Sequence, residues 1–179
     1  MEAVASPGPG RFRKGESIGR GANGTVFQGM CTATGSLVAI KEVQVPRGDA
    51  SVSRLTQEVQ LMAKLSHPNI VEYLGADLDE AAGVLRIYQE WVPGGSVDVL
   101  LKKFGGTFPD AITRRYGRET IRGLEYLHEH RVVHRDVKGG NVLVTDHGVA
   151  KLADFGTSLM MAGETQQADG GAATLCGTP

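Results

Sequence analysis

VVHRDVKGGNVLV, Val132 to Val144, is the stretch on which the reading of this chain turns. Asp136 and Asn141 stand five residues apart in a glycine-containing loop, and the run VLV that closes the stretch is β-type. Ahead of it, DAITRRYGRETIRGLEYLHEH (110–130) repeats Ile112, Tyr116, Thr120, Leu124 and Leu127 at helical spacing, which predicts a long helix. An aspartate in such a loop can accept the proton of a hydroxyl. An asparagine just beyond it can offer an oxygen to a hard cation, and Lys138 between them can neutralise a phosphate. Further on, DFG places Asp154 as an anionic ligand of the kind Mg²⁺ takes. NVLVTDHGVAKLADFG (141–156) predicts two short strands around an Asp-His-Gly turn.

Working back toward the N-terminus, GRGANGTV contains Gly19, Gly21 and Gly24 with Val26 after them. Glycines so spaced let a backbone pass close over phosphates with its N–H groups as donors, although a plain glycine hairpin would look the same. A dinucleotide-binding fold would need these glycines to open a helix; a β-type run follows instead. In LVAIKEVQV (37–45), alternation puts Val38 and Ile40 on one face and Ala39 and Lys41 on the other. The segment SVSRLTQEVQLMAKL (51–65) is helical in period and carries Glu58 within its apolar stripe of Leu55, Met62 and Leu65. A carboxylate there is costly unless paired, and Lys41 is the candidate partner. The runs TVFQGM, IVEYLGADL and VLRIYQEW complete a β-rich first half. Beyond PGGS (93–96), VDVLLKKF and the long helix make the second half helical, with a hinge expected near Trp91–Gly95.

The bulk figures are those of a soluble globular chain: 179 residues, 41% hydrophobic, 22% charged, net charge −1. Such a balance gives no electrostatic case for nucleic acid or an anionic membrane. Cys31 and Cys176 have no metal-ligand spacing. The opening MEAVASPGPG has neither the basic start nor the apolar run of a secretory signal, and no stretch is long and apolar enough to span a bilayer. A cytoplasmic location is the expectation.

Taken together, in this order and spacing, the motifs resemble those of a eukaryotic protein kinase catalytic domain, from about Phe12 to the last residue. The resemblance implies an α+β, two-lobe fold: residues 1–10 a disordered lead-in, 11–90 a β-rich N-lobe with one helix, and 91–179 part of a helical C-lobe. It implies ATP under the Gly19–Val26 loop, Lys41 on the α- and β-phosphates and Glu58 anchoring Lys41. Asp136 would be the catalytic base, Lys138 the lysine typical of the serine/threonine class, and Asn141 and Asp154 the Mg²⁺ ligands. Ile18, Val26, Ala39 and Leu143 match adenine-contacting positions, and Glu90 to Val92 the hinge that bonds the adenine edge. The strings LMAKLSHPNIVEYLGA, EWVPGGSV and GLEYLHEHRVVHRDVKGGNVLV resemble MAP kinase kinase kinases of the Sterile group. That implies a MAP kinase kinase as protein substrate. The alternative reading is an inert fragment that binds nucleotide or a partner. Aminoglycoside-type phosphotransferases share only the aspartate and downstream asparagine.

Two departures stand out. Gln89 fills the gatekeeper position, where an apolar residue is usual, and Glu119 stands where glutamine is frequent; Gly117 also weakens its helix. Arginine-preferring kinases carry acids at the positions of Ser96 and Gly140, so no upstream-arginine preference is expected. Arg135 would await a phosphate, with Thr174 the main candidate and Ser158 and Thr165 weaker ones, while Thr178 would bridge Asp136 and Lys138. The final Gly177-Thr178-Pro179 reads as the lead into a substrate-receiving loop, so the chain is expected to stop inside its activation segment. Without further helices the apolar faces of Leu124 and Leu127 are expected to meet water.

Overall fold

The computed structural model describes residues 11–21, 24–45 and 62–154, and divides into two compact units. The first holds strands β1 (Phe12–Gly21), β2 (Gly24–Cys31), β3 (Leu37–Gln44), β4 (Tyr73–Asp79) and β5 (Val84–Glu90). They form one antiparallel sheet in the order β1-β2-β3-β5-β4. The predicted alternation in β3 is real: Val38 and Ile40 pack with Tyr88, Phe12, Phe27 and Leu74 in an apolar cluster. On the same face, Arg86 binds Glu42 (3.1 Å), Asp77 (3.4 Å) and Asp79 (3.3 Å), and Lys14 also binds Glu42 (2.8 Å). Burial acts to raise the Glu42 carboxyl, but Lys14 and Arg86 more than offset it and hold it below the usual carboxylate range. The helix expected over 51–65 lies, apart from its last residues, outside the described residues.

In the second unit, α1 (Val97–Lys103) is capped by Ser96, whose Oγ accepts from Val99 N–H at 3.3 Å. Helix α2 (Asp110–Glu129) turns its predicted stripe inward, with Leu127 fully buried. The hairpin β6 (Val142–Val144) and β7 (Ala150–Leu152) closes around the Asp-His-Gly turn, where Gly148 takes a left-handed φ of 72°.

Two expectations are corrected here. Ile70 and Val71 do not extend β4. Leu152 N–H donates to Asn69 C=O and Val71 N–H to Leu152 C=O, both at 2.9 Å, so this segment adds to β7 in the second unit. The buried Asn69 amide fixes it there by donating to Ala150 C=O at 3.0 Å. Nor does the Leu127 face meet water: Leu127 and Leu152 are both 0% exposed, where α2 packs on β7. The large apolar side chains that do meet water nearby are Ile121, Val133 and Val137.

Candidate active site

In the first unit the strand register sets one row across the sheet: Gly19 opposite Val26, Val26 opposite Lys41, and Lys41 opposite Ile87. Ala39 and Gln89 oppose each other one step along the same face. Lys41 is only 3% exposed, so it is not a solvated strand lysine. Its proposed partner Glu58 lies outside the described residues. The three glycines of the hairpin differ physically. Gly24 has φ of 119°, and a Cβ there would collide with the Glu42 carbonyl, so the sheet itself demands glycine. At Gly19 and Gly21 a Cβ would meet no described atom within 4 Å. No described residue of this unit requires them, whereas close passage of a ligand would. Ile18 is half exposed, and Glu90 closes β5 just before Val92.

The second unit gathers the residues of the opening stretch. Asp136 Oδ2 receives Lys138 Nζ at 2.8 Å and Asn141 Nδ2 at 2.9 Å, and the same amide also donates to the Asp136 carbonyl at 2.8 Å. Both N–H bonds of the Asn141 amide are thereby used. Its oxygen is the atom turned away from Asp136, and an amide oxygen is a ligand for a hard cation. Ala153 N–H donates to the Asn141 carbonyl at 2.8 Å, which brings Asp154 next to Asn141. Asp154 and Arg135 take left-handed φ values of 64° and 65°, a conformation that L-residues hold only when surroundings impose it. Leu143 packs against Val71, Val92 and Ala153.

His134 is the residue the sequence reading passed over. It is 1% exposed, accepts from Asp136 N–H through Nδ1 at 3.3 Å, and its Nε2 bonds the Ala153 carbonyl at 3.0 Å. That pair of bonds sets the ring proton on Nε2 and ties the Asp136 loop to the segment carrying Asp154. Burial pushes its imidazole below the ordinary histidine range. The letters gave no signal for it: Val132 and His134 are buried and Val133 is exposed, an alternation that two identical valines before the histidine do not reveal. The departure at Glu119 also resolves: Oε2 accepts from Ala150 N–H at 2.7 Å, and Oε1 pairs with Arg115 at 3.0 Å. Thr174, Ser158, Thr165 and Thr178 lie outside the described residues.

The model of the protein kinase domain matches residues 12–179. The chain belongs to the protein kinase domain family. Its five-stranded antiparallel sheet and helical second unit are the two-lobe, α+β kinase fold. Among relatives, it is 46% identical over 178 residues to mitogen-activated protein kinase kinase kinase 2 of Arabidopsis thaliana, covering 96% of this chain and 27% of that protein. Identity is again 46% to mitogen-activated protein kinase kinase kinase ANP1 of the same plant, over 96% of this chain and 26% of ANP1. With mitogen-activated protein kinase kinase kinase 19 of Mus musculus it is 42% over 156 residues, 84% of this chain and 12% of that protein. The chain thus spans about a quarter of the length of the first two relatives. Among the described residues of this kinase chain, no helix is long and apolar enough to cross a membrane.

Proposed function

We propose that this chain is catalytic sequence of a serine/threonine protein kinase of the MAP kinase kinase kinase type, moving the γ-phosphate of ATP to a protein hydroxyl. The observation that carries the reading is the Asp136 carboxylate, fixed by Lys138 at 2.8 Å and Asn141 at 2.9 Å. A carboxylate held this way is a positioned proton acceptor for the attacking hydroxyl. Lys138 sits beside it to offset charge on the phosphoryl group in transfer. The donor set suits Mg²⁺, which takes oxygen ligands, with Asn141 Oδ1 and the Asp154 carboxylate as its protein oxygens. Bound Mg²⁺ would withdraw charge from the phosphates of ATP. Residues 11–90, apart from the 67–71 segment that joins the second unit, act as the N-lobe: Gly19 and Gly21 admit the phosphates, Gly24 shapes the turn, and Lys41, anchored by Glu58, holds the α- and β-phosphates. Ile18, Val26, Ala39 and Leu143 contact adenine, and the Glu90–Val92 backbone bonds its edge. The names of the relatives support a MAP kinase kinase as substrate, and a cytoplasmic place of action is part of the same proposal.

The test is phosphate transfer from radiolabelled Mg-ATP to a protein acceptor, with an Asp136→Asn control, alongside nucleotide titration of the same samples. Transfer lost in the control, with nucleotide binding kept, is expected. Equal transfer by both proteins would refute the role of Asp136. Nucleotide binding without any transfer would favour the binding-module reading.

A further inference from the structure

Gln89 is a departure that the proposed function leaves unused. The sheet register sets it in a row: Gln28 opposes Ala39, Ala39 opposes Gln89, and Gln89 opposes Tyr73. Residues directly opposite each other in an antiparallel sheet turn their side chains to the same face. The row therefore shares the face of Lys41, two residues along β3 from Ala39. Tyr73 is 8% exposed, and its enclosed hydroxyl has no hydrogen-bond partner among the described residues. Tyr88, on the opposite face, shows the ordinary arrangement, its hydroxyl donating to Asp77 Oδ2 at 2.7 Å. A buried hydroxyl left unpaired carries a cost that phenylalanine at position 73 would avoid. Across the ladder, the half-buried Gln89 carboxamide likewise bonds no described residue.

Two open hydrogen-bonding groups thus stand on facing strands, and each works in two directions. A carboxamide presents an accepting oxygen or a donating NH2 according to which way it is turned, and a phenol hydroxyl both donates and accepts. With the Gln89 oxygen turned to a ligand, its NH2 can donate to the Tyr73 hydroxyl. Turned over, the oxygen can accept the Tyr73 O–H while the NH2 faces the ligand. An apolar side chain at position 89 would offer neither.

We propose that Gln89 is a specificity-determining residue, held in either orientation by Tyr73 as its positioning partner, and that it lets the nucleotide site take 6-oxopurine triphosphates as well as ATP. The inference deepens the nucleotide-binding reading above and rests on it. In that reading adenine lies on Ala39, and the backbone that bonds its edge begins at Glu90, the residue after Gln89. That edge of adenine ends in the 6-amino group. The Gln89 oxygen accepts from the 6-amino group of adenine, and the Gln89 NH2 donates to the 6-oxo group of hypoxanthine or guanine.

The experiment titrates the 179-residue chain calorimetrically with Mg-ATP and with Mg-ITP, whose base differs from adenine in the 6-substituent and the ring proton that goes with it. Wild type, Gln89→Met, Gln89→Glu and Tyr73→Phe are compared, with thermal melts to confirm folding. The wild type is expected to bind the two nucleotides within about tenfold of each other. Gln89→Met should weaken ITP relative to ATP by about three- to tenfold, the scale of one hydrogen bond. Gln89→Glu, which keeps an acceptor and loses the donor, should widen the preference for ATP further. Tyr73→Phe should shift the ratio in the same direction as Gln89→Met with no loss of melting temperature, a change that a purely structural tyrosine would not produce. ITP binding to the wild type weaker than ATP by more than about tenfold, or a ratio that Gln89→Met leaves unchanged, overturns the proposal while the nucleotide reading stands. Binding of neither nucleotide overturns both.

Discussion

Helix α2 contains two glycines whose substitution should have opposite consequences. Gly117 and Gly123 both lie in the helix interior, so alanine at either gains the same backbone term, about 1 kcal/mol. At Gly117 an added Cβ meets no described atom within 4 Å, so nothing opposes that gain. At Gly123 it would stand 2.7 Å from the Asn69 carbonyl oxygen and 2.9 Å from Leu152 Cδ1. The leucine methyl can rotate, but the carbonyl cannot withdraw freely, because it accepts the Leu152 N–H at 2.9 Å. Overpacking of this kind costs roughly 1–3 kcal/mol. Gly117→Ala should therefore stabilise the second unit by about 1 kcal/mol, while Gly123→Ala comes out between neutral and about 2 kcal/mol destabilised.

The difference between the two variants cancels the propensity term and isolates the packing term. Because the chain has two units, global unfolding need not be two-state, so a local probe is preferable. Amide exchange at Leu152 and Ala150 reports directly on β7 and on the Asn69 contact. Slower exchange in Gly117→Ala and faster exchange in Gly123→Ala is expected. Equal protection in both variants, or the reverse order, would refute the claim that Gly123 is held by packing against Asn69.

The hairpin glycines should separate in the same manner: Gly21→Ala keeps thermal stability within about 0.5 kcal/mol but weakens ATP binding, whereas Gly24→Ala loses stability outright. Thermal melts paired with nucleotide titration decide it, and a large stability loss at position 21 would contradict the assignment. Glu119→Ala strands the buried Ala150 N–H and should cost about 1–3 kcal/mol, while Glu119→Gln keeps an acceptor and costs less; denaturant titration of both variants tests the ordering. Lys41→Met should lower phosphate transfer by about 10²–10³-fold, a figure that near-normal turnover would contradict. His134 is depressed by burial, so the folded chain keeps it neutral while the unfolded chain protonates near the ordinary value of about 6.5. Its contribution is full above that pH and is lost as pH falls below it, and a stability profile that His134→Gln leaves unchanged in slope between pH 5 and 7 would refute this.

What the sequence made legible follows from the range of the forces involved. Asp136, Lys138 and Asn141 are neighbours in the chain, and their hydrogen bonds close within one turn, so spacing sufficed to associate them. Lys41 was readable because strand alternation has a fixed period. Ile70 and Val71 were misplaced, since β propensity marks them as extended but cannot name the strand they join. That choice is made by Asn69 reaching Ala150, 81 positions away.

Glycine is the residue whose letter says least about its cause. Nothing in the letters separates Gly24 from Gly21, or Gly123 from Gly117. Their surroundings sort them by cause. Gly24 answers to conformation, with its φ of 119°, and Gly123 to atoms that would occupy a side chain's place. Gly19, Gly21 and Gly117 answer to neither, having open space on all described sides. For Gly117 nothing in the structure explains the residue, and the helix bears its cost of about 1 kcal/mol. Gly19 and Gly21 lie instead in the row that ends on buried Lys41. There the open space leaves room for the phosphate chain that the proposed function passes close over the backbone, and alanine at either position would narrow that room without disturbing any described neighbour.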